Sequence, residues 1–161
     1  MNQEWNPVGL KAVDHLEFTA AKNTPTRDLF YKLGFAKTFE SNDGEKELFS
    51  QGQVRFLLNT SEDKDSQSYQ YLKNHEEGVC KISFLVDDAQ KAIETAVKRG
   101  GKEVNDLKTV ETEEGMIRTA AIQGFGDVLN EFVERPSKVF RDNFKAVSTD
   151  TNAQPLKTRC S

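Results

Sequence analysis

Only two histidines occur in the chain, and one of them, His15 in VDHLEF, lies in a segment that alternates apolar and polar residues. An imidazole in that setting is either a metal ligand on a strand or a histidine turned into a sheet. A metal site needs several ligands that converge on one point, so a lone strand histidine requires others beside it. The other histidine, His75 in KNHEEG, falls in a polar connector and reads as a solvated loop residue. Other catalytic arrangements are absent from the sequence. No serine sits in a nucleophile elbow, and neither Cys80 nor Cys160 has a histidine nearby in sequence, so both read as free thiols. The glycines of GFG at 124–126 are followed by no helix, which makes the motif a turn before a strand and not a nucleotide loop. The acids of SEDKD and ETEEG read as solvated faces.

The elements that must carry His15 follow from periodicity. Residues 12–19 alternate as a strand, and Thr24 or Thr26 is placed to cap a helix near 25–34 with Leu29, Phe30 and Leu33 at helical spacing, stopped by Gly34. Strands AKTFES, ELFSQ and VRFLLN follow, joined by turns at Asn42-Asp43-Gly44 and Gly52. The polar stretch 60–76, with Tyr69 and Leu72 three apart, reads as a connector carrying a short helix. Then the order recurs. A strand at 79–88 leads into a helix near 88–100 whose Ala92, Ile93, Ala96 and Val97 share a face, closed by Gly100, and KEVNDLKTV, IRTAAIQ and DVLNEFVE are strands. One offset places His15 on Lys81 and Gly34 on Gly100, which predicts a duplicated unit.

Composition bounds the rest. At 161 residues and 36% hydrophobic content, the chain suffices for one core. A net charge of −4 with scattered lysines and arginines offers no stripe to follow a phosphate backbone, so nucleic acid is not an expected partner. The apolar runs are too short to cross a bilayer and MNQEWN does not resemble a secretion signal, so no membrane partner and a cytoplasmic location are expected.

Tandem β-α-β-β-β units, with DLFYKLGF closing the first helix and GDVLNEFVE as the last strand, resemble the vicinal oxygen chelate superfamily. NPVGLKAVDHLEF, EEGVCKISFLVDDAQKA and IQGFGDVLNEFVERPS more closely resemble the amino-terminal half of the 4-hydroxyphenylpyruvate dioxygenases. The resemblance implies an α+β fold of two units, about 12–60 and 79–135, forming a curved eight-stranded mixed sheet with helices on its convex face. It implies an extension at 1–11, a domain at 12–135, and at 136–161 a linker toward a catalytic carboxy-terminal half that would bind Fe(II). That enzyme family converts 4-hydroxyphenylpyruvate and O2 to homogentisate and CO2 in tyrosine catabolism.

In metal-binding members of the superfamily, ligands stand on the first, fourth, fifth and eighth strands. Carried over, those places hold His15, Phe56, Lys81 and Glu131, of which only His15 and Glu131 can ligate. The Lys81 ammonium would repel a divalent ion. No metal, cofactor or catalytic residue is therefore expected in this chain; Lys81 is expected to pair with Glu131 or Glu17 beside His15, all in a cup opposite Leu16 and Phe18. Trp5 and the aromatic VFRDNF are expected to pack on the catalytic half and support a homo-oligomer of the full-length protein. Two alternatives carry the same residues: a stand-alone module holding a small apolar or aromatic ligand against Phe56, Leu58 and Leu85, and the amino-terminal half of a hydroxymandelate synthase.

Overall fold

In the computed structural model of the protein, residues 5–148 are described, so Cys160 and the second half of the expected linker lie outside the described residues. The elements run β1 (Leu10–Thr19), α1 (Thr26–Lys32), β2 (Ala36–Ser41), β3 (Lys46–Gln51), β4 (Val54–Asn59), α2 (Gln67–His75), β5 (Gly78–Val86), α3 (Ala89–Lys98), β6 (Glu103–Thr112), β7 (Gly115–Gln123), β8 (Leu129–Glu134) and β9 (Phe144–Ala146). The β-α-β-β-β order thus occurs twice, in an α+β fold, as the spacing predicts. A ninth strand joins the eight expected. Three residues, FKA, are too short to show a period in sequence, and β9 forms because β2 offers an open edge, with Phe39 opposite Ala146 and Ser41 opposite Phe144.

The chain divides into two compact units: residues 5–17 with 79–142, and residues 18–78 with 143–148. In the first, the strands lie in the order β6-β7-β8-β5-β1. It is a mixed arrangement, because β5 runs parallel to β8, with Lys81 opposite Leu129 and Ser83 opposite Glu131, while β7 is antiparallel to both β6 and β8. The parallel pair needs a crossover, and α3 supplies it. The Asp88 side chain accepts from the Lys91 N–H to open α3, a cap worth about 1 kcal/mol. Ala89, Ala92, Ile93 and Ala96 then bury one face against Val86, Ala120 and Phe132. Val97, expected on that face, is exposed, since small alanines at i, i+3 and i+7 already make the close approach to the sheet.

In the second unit, β4-β3-β2-β9 are antiparallel. The core is aromatic: Phe30, Phe35 and Phe49 cluster with Ala20 and Leu58, and Phe18, Tyr31 and Phe56 pack against them. Helix α1 has only seven residues and buries Phe30 alone; Leu29 and Leu33 are exposed, because two turns present one apolar position and Phe30 fills it. Its start is held from outside. Thr24 Oγ1 accepts from the Thr26 N–H, and Glu77 accepts from the Thr24 and Thr26 hydroxyls and from the Ala21 N–H. Helix α2 is capped by Ser66, whose Oγ accepts from the Tyr69 N–H. His75 is the last residue of α2, exposed, with its ring 4.7 Å from that of Tyr71. Among the described residues no helix is long and apolar enough to cross a membrane.

Candidate functional site

In the first unit, β1, β5 and β8 bring His15, Lys81 and Glu131 together, and Ser83 and Glu17 with them. His15 is 2% exposed. Its Nδ1 lies 2.8 Å from Asp14 Oδ2, and its Nε2 lies 3.2 Å from Ser83 Oγ, which in turn donates to Glu131 Oε1 at 2.8 Å. Lys81 Nζ is 3.2 Å from Glu17 Oε2 and 3.8 Å from Glu131 Oε2. Both partners named for Lys81 from the sequence are therefore present.

Four further residues complete the cluster, and alternation along the chain does not reveal them. Asp14 should point away from His15 on a regular strand, yet both are buried and their side chains meet. Arg135, just beyond β8, donates through Nε and Nη2 to Asp14 Oδ1 at 3.0 and 2.8 Å. Arg141 Nη2 donates to Glu131 Oε1 at 2.7 Å. The Phe140 ring is buried edge-on to His15, with centroids 5.0 Å apart, and the Arg141 guanidinium lies 4.9 Å from the Phe140 centroid. Phe140 and Arg141 belong to VFRDNF, expected to serve another half of the protein. Within the first unit the Phe140 ring packs on His15, and Arg141 gives the buried Glu131 carboxylate a hydrogen-bonded cation.

The electrostatics follow from burial and pairing. Burial pushes the His15 imidazole below its ordinary value and the Arg141 charge acts in the same direction, against the hydrogen bond to Asp14. Burial works against the Asp14 carboxylate, but the His15 hydrogen bond and Arg135 outweigh it and hold Asp14 far below the usual carboxylate range. Glu131 is likewise lowered, burial being overcome by Lys81 and then Arg141. The Glu17 charge raises Lys81 despite desolvation. With His15 neutral, the three carboxylates Asp14, Glu17 and Glu131 are matched by Lys81, Arg135 and Arg141. Nearby Cys80 is buried, with Sγ donating to the Glu17 carbonyl at 3.6 Å, and burial raises its thiol well above the ordinary value, which makes it inert.

Iron does not fit this donor set. His15 Nδ1 is taken by Asp14, its Nε2 faces a hydroxyl, and Glu131 is occupied by Arg141, Lys81 and Ser83. A cation placed between them would meet two fixed positive charges, each costing about 4 kcal/mol per unit charge at 4 Å and an effective dielectric near 20. Among the described residues no three His, Cys, Asp or Glu side chains are grouped to hold a metal ion.

Phe56 is not part of this cluster. It lies in the second unit, stacked on Phe35 at 4.5 Å and packed against Phe18 and Phe30 at 5.1 and 5.2 Å. Assigning it to the cup puts β4 one residue out of phase: Phe56 pairs with Phe49, and both join the aromatic core, as does Leu58. A ligand surface built on Phe56 and Leu58 is thereby removed.

Residues 5–144 match the family described as hydroxyphenylpyruvate dioxygenase, HPPD, N-terminal. The chain is 33% identical over 138 residues to hemolysin VllY of Vibrio vulnificus, covering 83% of this chain and 36% of that protein. It is 26% identical over 148 residues to a 4-hydroxyphenylpyruvate dioxygenase of Legionella pneumophila, covering 92% and 40%. A solved structure of a 4-hydroxymandelate synthase mutant from Streptomyces coelicolor is similar in fold, with a TM-score of 0.72 at 16% identity over 86% of this chain and 42% of that one. The chain therefore spans well under half the length of these relatives.

Proposed function

Since the chain belongs to the family of hydroxyphenylpyruvate dioxygenase amino-terminal domains, we propose that it is the non-catalytic part of an iron-dependent 4-hydroxyphenylpyruvate dioxygenase acting in tyrosine catabolism in the cytoplasm. The observation that carries this reading is the self-neutralised cluster at His15, Lys81 and Glu131, where a lysine and two arginines already supply the positive charge that a metal would otherwise bring to the carboxylates and the imidazole. Iron chemistry belongs, on this reading, to a carboxy-terminal half, which is the principal partner. When bound there, iron would supply activation of dioxygen for oxidative decarboxylation and ring hydroxylation. Residues 12–135 are the scaffold domain, the segment after 135 leads toward that half, and the full-length protein is a homo-oligomer. What this chain's residues do is hold β1, β5 and β8 rigidly together without a metal.

The experiment is oxygen uptake with 4-hydroxyphenylpyruvate, iron(II) and ascorbate, on the 161-residue chain and on a version extended to the length of its relatives. The expected outcome is uptake only by the extended protein, with homogentisate as product. Hydroxymandelate as product would move the assignment to a hydroxymandelate synthase. Substrate-dependent uptake by the short chain alone would refute the non-catalytic role, and uptake by neither would favour a stand-alone binding module.

A further inference from the structure

In the second unit, β2 ends at Ser41 and β3 begins at Lys46, and the tip of the turn between them, Asn42, Asp43 and Gly44, is exposed. Of all the aspartates and asparagines in the chain, only Asp43 precedes a glycine. That dipeptide has a chemistry of its own. The Gly44 backbone nitrogen can attack the side-chain carboxyl carbon of Asp43. A C–N bond closes a five-membered succinimide, the C–OH bond breaks, and the hydroxyl leaves with the amide proton as water. Water then adds back at one of the two ring carbonyls. Cleavage of the new C–N bond restores aspartate, and cleavage of the original peptide bond leaves isoaspartate, with the main chain running through the side-chain carbon. Only connectivity changes, and water is the only co-reactant. A side chain on the attacking residue would crowd the ring, but Gly44 has none, sits at φ 76°, and has no atom within 4 Å of where a Cβ would stand.

Both reacting groups are held by one residue. The Gly44 N–H donates to the Ser41 carbonyl at 2.9 Å, and Asp43 Oδ1 accepts from Ser41 Oγ at 2.5 Å and from the Glu45 N–H at 3.0 Å. Ser41 is itself buried, and its hydroxyl accepts from the Lys46 N–H at 2.9 Å. The Ser41 hydrogen bond, and after it that of the Glu45 N–H, lowers the Asp43 carboxyl from its ordinary value. The neutral acid, which is the form that can lose water, is thereby made scarce near neutrality. We propose that Asp43–Gly44 is an aspartyl isomerisation site and that Ser41 is its brake, holding the nitrogen through its carbonyl and the carboxylate through its hydroxyl. This chemistry is independent of any dioxygenase activity.

The test ages the 161-residue chain and its Ser41→Ala and Ser41→Thr variants at physiological temperature over a range of pH. Isoaspartate is counted by methyl transfer from S-adenosylmethionine with an isoaspartyl methyltransferase and located by peptide mapping. Ser41→Ala is expected to form isoaspartate at residue 43 several-fold faster, with the fall of rate on the alkaline side moved to higher pH. Ser41→Thr keeps the hydroxyl and is expected to stay near the unaltered rate. An unchanged rate in Ser41→Ala would overturn the proposal, as would a Ser41→Thr rate equal to a raised Ser41→Ala rate, or isoaspartate formed mainly at another residue. Should circular dichroism show that Ser41→Ala does not fold, the unaltered chain decides, folded against unfolded in urea. Several-fold faster formation at residue 43 in urea is expected; equal rates overturn the brake.

Discussion

Asp14 is the residue on which the cluster turns. It is buried, holds the His15 N–H and receives both arms of the Arg135 fork. Arg135→Ala leaves that carboxylate without its cation, and a loss of about 3–5 kcal/mol is expected, to be read in urea denaturation. Replacing a surface-paired lysine such as Lys22, whose ion pair with Glu62 is exposed to solvent, is expected to leave stability nearly unchanged in the same assay. Acid should act on the same groups. His15 is lowered from its ordinary 6.5 and Asp14 and Glu131 are lowered from the carboxylate range, so the folded chain binds fewer protons than the unfolded one. Stability is therefore expected to hold near neutrality, to fall as pH drops below about 6.5, and to fall further through the carboxylate range, followed by melting temperature against pH. His15→Asn should remove the first part of that decline and leave the second. From sequence, the repeat offset matches His15 with Lys81 and alternation adds Glu17, while Glu131 is placed with them through the ligand positions that the family resemblance implies. Asp14 could not be placed there, since its side chain breaks alternation, and Arg135 and Arg141 could not, since no period governs a segment outside regular structure.

Helices and strands were legible wherever their period ran long enough. Helix α3 announces itself through the apolar face of Ala92, Ile93 and Ala96 and the stop at Gly100, whereas α1 spans seven residues and its apolar positions mislead about which of them is buried. Phe30 anchors α1 to Phe35, Phe49 and Phe56, and Phe30→Ala is expected to cost about 3–5 kcal/mol in denaturant unfolding. The end of α2 makes the opposite expectation. Glu76 closes that helix at φ 65° and ψ −165°, a conformation populated almost only by glycine. Glu76→Gly is expected to stabilise the chain by about 1 kcal/mol, a gain that a calorimetric melting curve would show as a higher midpoint. Strand β4 shows how one residue of phase matters: period 2 fixes that Phe56 and Leu58 share a face, but which face is decided by pairing with Phe49 on β3.

At the scale of the molecule, the two β-α-β-β-β repeats are visible in sequence, but the compact units are not the same thing as the repeats. Residues 10–17 of β1 belong to a unit whose remaining residues begin at 79. The second repeat, expressed as residues 79–142 alone, would lack Asp14, His15 and Glu17 and leave Arg135, Ser83 and Lys81 without those partners. Poor dispersion of its amide resonances is expected, with recovery when residues 5–17 are supplied on the same chain. Native dispersion of the fragment by itself would show that β1 is dispensable to that unit.

The Asp14–Arg135 pair joins residues 121 apart in sequence. On a ribosome making about 5–20 residues per second, the strand bearing Asp14 and His15 is finished on the order of 6–24 s before the arginine that neutralises it. For that interval β1 is a strand of alternating apolar and polar residues whose charges it cannot yet bury. Translation speed and holdase chaperones thus become determinants of yield for this protein, and slowing elongation should lengthen the period in which a nascent β1 is open to mispairing.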